Sequence, residues 1–123
     1  MSKINIVDLE VFYSVGVSDE ERATPQRLLL TIEMVFDFSS AAVSDRIERT
    51  IDYHAVCQKL LGYGEDRSWK LLEKLVSNLG DMILAEFQAQ TVTVTAKKYA
   101  IPQARHVSVQ LSKTRVAKPK FGA

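Results

Sequence analysis

The sequence predicts an α+β domain, a four-stranded and mostly antiparallel sheet with two helices packed on one of its faces. Three observations lead there. Arg27 to Phe38 alternates apolar and polar without a break, Ser68 to Phe87 carries a broad apolar stripe at helical spacing, and the elements fall in the order β-β-α-α-β-β. Because the strands alternate, one face of the sheet is expected beneath the helices and the other against water or a neighbouring subunit.

The opening stretch Lys3 to Tyr13 is rich in β-branched and aromatic residues, but its apolar phase changes near Val7 and Asp8, which predicts a strand with a bulge. The second strand places Leu28, Leu30, Ile32, Met34, Phe36 and Phe38 on one face and Arg27, Thr31, Glu33 and Asp37 on the other. Gly16 to Pro25 separates the two. It is too long for a tight hairpin, and a loop of that length can carry function. A polar connection with Ser39, Ser40 and Asp45 leads to Thr50-Ile51-Asp52-Tyr53, where Asp52 is placed to cap a helix reaching about Leu61. The second helix, from about Ser68 to Phe87, presents Leu71, Leu72, Leu75, Val76, Leu79, Met82 and Ile83 together and is the core helix. Val92, Val94 and Ala96 alternate in a third strand, and Val107, Val109 and Leu111 in a fourth. Residues 1–113 form the expected domain, and 114–123, with Lys118 and Lys120, a flexible basic tail.

A chain of 123 residues can bury one core but keeps a high surface-to-volume ratio, so oligomerisation would help it. Sixteen basic and fifteen acidic residues give a net charge of +1, which favours neither nucleic acid nor an anionic membrane as partner. No apolar run approaches the roughly 20 residues that span a bilayer. Cys57 is the only cysteine, so an internal disulfide is excluded, and no basic-then-apolar N-terminal segment suggests secretion. A cytoplasmic protein is expected.

No metal or other cofactor is expected either. The two histidines, His54 and His106, sit on a helix and a strand without cysteine or carboxylate at ligand spacing. Cys57 reads as a small buried hydrophobe, and Gly62-Tyr63-Gly64 lacks the strand-before, helix-after context of a phosphate loop.

Acid/base candidates remain. Glu73 falls just beyond the edge of its helix's apolar face, near the sheet, where a carboxylate can accept two parallel N–H bonds from the amidine-like edge of a pterin or purine. A solvated flank residue is the plainer alternative. Lys97 ends a polar row of Thr91, Thr93 and Thr95; it is an ordinary exposed charge unless enclosed, when it could exchange protons. Tyr53 is either a packing residue or a phenolic donor, and Glu21 by itself reads as a charged turn residue beside Glu20 and Arg22.

In their local motifs these residues say more. Gly16-Val17-x-Asp19-x-Glu21-Arg22, Thr50-Ile51-Asp52-Tyr53, Leu71-Leu72-Glu73 with Leu75-Val76, and Lys97-x-x-Ala100-Ile101-Pro102-x-Ala104 stand in the order and spacing of the dihydroneopterin aldolase family, which the chain resembles from about Ile4 to Ser112. The resemblance implies the tunnelling fold, in which subunits join side by side into a ring whose strands form a barrel, giving a tetramer or, with two rings stacked, an octamer. It also implies metal-free cleavage of dihydroneopterin to hydroxymethyl-dihydropterin and glycolaldehyde, a step of folate synthesis. On that resemblance Glu73 anchors the pterin with help from the Leu72 backbone, and Lys97 moves protons through an ordered water. Glu21 holds Lys97 and that water, and Tyr53 of the adjacent subunit protonates the enamine carbon.

One position departs from the family pattern. Proline commonly follows the motif lysine, whereas this chain has Lys98-Tyr99, and strand alternation points Lys98 away from Lys97. A sister family, the dihydroneopterin triphosphate epimerases, departs from Lys-Pro too, and Lys98, Arg22 or Arg105 at the pocket mouth could hold a triphosphate. A pterin- or purine-binding protein without catalysis is the third alternative.

Overall fold

The computed structural model of the chain describes residues 1–116. The polypeptide enters with β1 (Ser2–Val15), turns through the single helical turn α1 (Asp19–Arg22), and returns along β2 (Gln26–Phe36). A short helix α2 (Ser39–Ser44) and a 3-10 turn (Ile47–Arg49) lead to α3 (Tyr53–Gly62). Then come β3 (Ser68–Trp69), the core helix α4 (Leu72–Glu86), and the hairpin of β4 (Thr91–Lys98) and β5 (Val107–Thr114).

The predicted α+β order is present, but the sheet has five strands, β3-β1-β2-β4-β5. The fifth is β3, a two-residue parallel bridge to Ser14 and Val15. It shortens α4, which begins at Leu72 rather than near Ser68, because Ser68 and Trp69 are extended beside the end of β1. The β1–β2, β2–β4 and β4–β5 pairs are antiparallel.

The bulge falls where the phase change places it. The β1–β2 register shifts between Ile6 and Leu9, and Asp8 takes a positive φ of 54°. The shift turns Leu9, Val11, Tyr13 and Val15 inward after Ile4 and Ile6, so one strand serves one core despite its broken alternation. Asp52 caps α3 by accepting the Ala55 N–H at 3.2 Å. Beneath the helices, Leu28, Leu30, Ile32 and Met34 of β2 meet Val92, Val94 and Ala96 of β4 and Leu75, Leu79 and Ile83 of α4, all buried. The Tyr13 hydroxyl donates to the Leu60 carbonyl at 2.6 Å, and burial raises its pKa.

On the opposite sheet face, β4 and β5 are polar. Thr91 with Thr114, Thr93 with Ser112, and Gln110 with Thr95 form a hydrogen-bonded ladder across β4 and β5. The expected tail lies, from residue 117 onward, outside the described residues. Before it, Arg115 closes the end of α4, donating from Nε to the Ala89 carbonyl at 3.1 Å and from Nη2 to the carbonyls of Phe87, at 2.9 Å, and Leu84. A cation among the last carbonyls of a helix satisfies orphan acceptors and complements the dipole. Arg115→Ala is therefore expected to cost about 1–2 kcal/mol of unfolding free energy, read as a lower urea midpoint at unchanged m-value; an unchanged midpoint would mean that water serves those carbonyls equally well.

Candidate active site

The inward row of β4 runs Val92, Val94, Ala96 and then Lys98, opposite Leu28 of β2. A lysine in an otherwise apolar row must find partners or reach water. Lys98 is 9% exposed, and its Nζ donates to the Val15 carbonyl at 3.3 Å and to Glu21 Oε2 at 3.1 Å. Glu21 arrives from α1, whose start is capped by Ser18 accepting the Glu21 N–H at 3.1 Å.

Gly16 makes that approach possible. A Cβ on Gly16 would lie 2.4 Å from the Glu21 Cβ and 2.8 Å from its Cδ, so only glycine lets the Glu21 side chain cross the end of β1. The Gly16 N–H donates to the Trp69 carbonyl at 3.0 Å, and Trp69 Nε1 donates to Asn78 Oδ1 of α4 at 2.9 Å. Through Val15, Gly16 and Trp69 the end of β4, the α1 loop and the start of α4 are joined.

The start of α4 is open. Leu71 stands at its N-cap without a side-chain hydrogen bond, and the first helical bond is Leu75 N–H to the Leu71 carbonyl, so the amides of Leu72, Glu73 and Lys74 precede it. Glu73 is exposed and has no ion-pair partner among the described residues, while Leu72 is 8% exposed. Free amide donors beside a free carboxylate can bind a planar group that presents a carbonyl next to N–H groups.

Glu21 thus packs on the end of β1, and Leu72 and Glu73 follow closely after Trp69, which bridges to that same end. Lys97 does not join them. It lies on the outer face with its Nζ 2.9 Å from Asp8 Oδ1, and the backbone N–H of Asp8 donates to Thr31 Oγ1 at 3.1 Å. The expected pairing of Glu21 with Lys97 is replaced by Glu21 with Lys98, because alternation that buries Val94 and Ala96 sends residue 98 inward and 97 outward. Tyr53 is 60% exposed at the start of α3, and within one chain no hydrogen bond joins it to Glu21, Glu73 or Lys98.

The hydrogen bond from Lys98, and then its charge, hold the Glu21 carboxyl below its ordinary value of 4.5; the Lys97 hydrogen bond likewise holds Asp8 low. A carboxylate with a depressed folded pKa stabilises the fold above its unfolded value and loses that contribution as pH falls through the folded one. The midpoint difference between wild type and Glu21→Gln is thus expected to be full near neutrality and to narrow on acidification below about pH 4.5. Thermal melts across that range measure it, and a constant difference would show that the pair contributes through shape alone.

A cavity of about 570 Å³ lies elsewhere, between the outward side of Phe12 and Ser14 and the loop from Gly64 to Ser68. Neither Lys98 nor Glu73 lines it. Its chemistry is that of a mixed surface cleft, so the site is placed on the hydrogen-bonded cluster and not on cavity size.

Comparison with known proteins fits this arrangement. The family model for dihydroneopterin aldolase matches residues 4–112. This chain belongs to the dihydroneopterin aldolase family. The dihydroneopterin aldolase of Haemophilus influenzae is 31% identical over 110 residues, covering 89% of this chain and 93% of the relative. The crystal structure of Escherichia coli dihydroneopterin aldolase in complex with neopterin superposes with a TM-score of 0.86 at 27% identity, covering 92% of this chain and 99% of that one. A dihydroneopterin triphosphate 2'-epimerase of Pseudomonas aeruginosa is 22% identical over 113 residues, covering 91% and 92%. Family membership carries the tunnelling fold with it, and the motif residues Glu21 and Glu73 stand at one end of the sheet.

Proposed function

We propose that this chain is a metal-independent aldolase that cleaves dihydroneopterin to hydroxymethyl-dihydropterin and glycolaldehyde in folate synthesis. The observation that carries the reading is the Lys98–Glu21 pair, an enclosed ammonium and its solvent-facing carboxylate partner, joined through Val15 and Gly16 to the open start of α4. Glu73 accepts the pterin amino and ring N–H bonds, and the Leu72 backbone assists. The protonated lysine supplies a proton to the imine nitrogen of the ring. The hydroxyl on the departing carbon passes its proton to the Lys98 amine left by that transfer, the carbon–carbon electron pair moves into the ring as an enamine, and glycolaldehyde leaves. Reprotonation of the enamine carbon and loss of the proton from nitrogen complete the product. In this proposal the proton-moving role that the resemblance gave to Lys97 belongs to Lys98, with Glu21 as its holder, since only Lys98 faces Glu21.

Tyr53 is assigned to the enamine carbon of a neighbouring subunit's substrate. The sheet supports such assembly, because most of β1 on one side and β5 on the other leave edges that pair with no strand among the described residues. Edge-to-edge contact closes a ring of four chains, alone or stacked as eight, in the cytoplasm.

The epimerase alternative requires cations for a triphosphate. Arg22 is engaged by the carbonyls of Gly16 and Val17 and by Asp19, and Lys98 by Glu21 and Val15, which among the described residues leaves the exposed Arg105 as the one uncommitted cation of the three and favours the unphosphorylated substrate. The test is incubation with dihydroneopterin and, separately, its triphosphate, without added metal, followed by chromatography of the pterins. Hydroxymethyl-dihydropterin from the first supports the aldolase. An epimer from the triphosphate alone would move the assignment to the sister activity, and tight pterin binding without turnover would leave a binding protein.

A further inference from the structure

Glu21 is carried by a single turn of helix, and one turn has almost no stability of its own. Its backbone closures are the Arg22 N–H to the Ser18 carbonyl at 3.2 Å and the Ala23 N–H to the Glu20 carbonyl at 3.3 Å. What fastens the turn to the rest of the loop is the Arg22 side chain. Arg22 Nη1 donates to the carbonyls of both Gly16 and Val17 at 2.7 Å, and Nη2 pairs with Asp19. The Arg22 side chain is 16% exposed although its ion-pair partner Asp19 is fully exposed, so the guanidinium is folded inward over the loop.

Gly16 is therefore gripped on three sides. Its N–H goes to Trp69, its carbonyl receives Arg22, and the space where a Cβ would stand is filled by Glu21. Val15, one residue earlier, supplies the second acceptor of Lys98. If the guanidinium is removed, the Gly16 and Val17 carbonyls lose their donor, and beside its two backbone closures and the Lys98 bond the turn keeps the Ser18 cap and the Gln26 side chain, which donates to the Glu21 carbonyl at 3.0 Å.

We infer that Arg22 is a positioning residue: by clamping the Gly16 and Val17 carbonyls, its guanidinium fork holds Glu21 against Lys98. The catalytic part of this inference rests on the aldolase reading above; the structural part does not. A lysine at this position keeps the charge but not the planar fork that serves two carbonyls and a carboxylate together. The charged group facing Glu21 from the sheet is Lys98, while Arg22 and Asp19 pair with each other on the turn itself.

The experiment is a mutant cycle read by carbon-13 NMR titration of the Glu21 carboxyl in the intact protein, with Arg22→Met, Arg22→Lys, Lys98→Met and the two double variants. Wild type is expected to titrate below 4.5, held there by the hydrogen bond and charge of Lys98. Arg22→Met and Arg22→Lys are both expected to move Glu21 up toward that ordinary value, and neither to move it further once Lys98 is methionine. Arg22→Lys titrating as wild type does would overturn the fork, and shifts that add in the double variants would show that Arg22 acts by its own charge. Should Arg22→Met fail to fold, Arg22→Lys with its double variant decides the matter.

Turnover gives the second readout. Both Arg22 variants are expected to lose roughly 100-fold in kcat, as a misplaced catalytic group does, with KM held within about threefold because α4, which carries Glu73, is tied to β3 by the Trp69–Asn78 hydrogen bond and not by Arg22. A rise in KM at unchanged kcat would overturn the positioning role. If wild type itself cleaves no dihydroneopterin, the aldolase reading fails while the titration still decides what Arg22 does.

Discussion

Lys98→Met is expected to lower the rate of dihydroneopterin cleavage by about 10²–10⁴-fold, the usual range for removing a positioned general acid or base, with little change in pterin affinity. Lys97→Met is expected to lose less than about tenfold. Two neighbouring lysines differ this much because a strand sends successive side chains to opposite faces. Lys98 ends the row that the helices cover and meets Glu21, whereas Lys97 meets Asp8 on the outer face, beyond the thickness of the sheet. Methionine keeps the length and apolar stem of lysine, so the inner row stays filled and the loss reports chemistry more than packing. Glu21, 44% exposed, can be solvated when its partner is gone. Single-turnover measurements with saturating enzyme separate the chemical step from binding. If Lys97→Met proves to be the silent enzyme and Lys98→Met the active one, the proton path runs along the outer face and the site drawn around Glu21 is wrong.

The same pair of lysines shows how far the sequence could be read. The row Thr91, Thr93, Thr95 and Lys97 is visibly polar, and the row Val92, Val94 and Ala96 visibly apolar. The lysine out of keeping with its row is Lys98, and that mismatch marks a partnered, enclosed charge. The motif spacing favoured Lys97, while the alternation in the same eight residues favoured Lys98. Where periodicity is local it sufficed: the β2 face, the α4 stripe, the Asp52 cap and the phase change at Val7 and Asp8 all depend on neighbours in the chain. The bridge of Ser68 and Trp69 to Ser14 and Val15 gave no such sign, because two residues are too few for a period and their partner is over fifty residues away. Nor does a glycine in a loop announce that another side chain lies 2.4 Å from its missing Cβ. Glu21 could be picked out by its motif, but the device that holds it in place, Gly16 and Arg22, is a matter of three dimensions.

Glu73→Gln is expected to weaken binding of neopterin or dihydroneopterin by about 100-fold or more, because an amide cannot accept the two charge-assisted N–H bonds that a carboxylate accepts. The side chain is exposed in the first turn of α4, so its replacement leaves no cavity, and the favourable interaction of an acid with the helix N-terminus is small beside the binding loss. A thermal midpoint close to that of wild type should therefore accompany the loss of binding. Titration calorimetry with neopterin separates this from the Lys98 effect: Glu73→Gln raises Kd, whereas Lys98→Met slows chemistry at nearly unchanged Kd. Leu72→Ala offers a check on the same edge, since the backbone N–H persists and only apolar contact is removed, so affinity should fall by less than in Glu73→Gln. Wild-type affinity in Glu73→Gln would detach the ligand from the start of α4 and move attention to the cleft beside Phe12 and Ser14, where the Lys98–Glu21 pair could take no part.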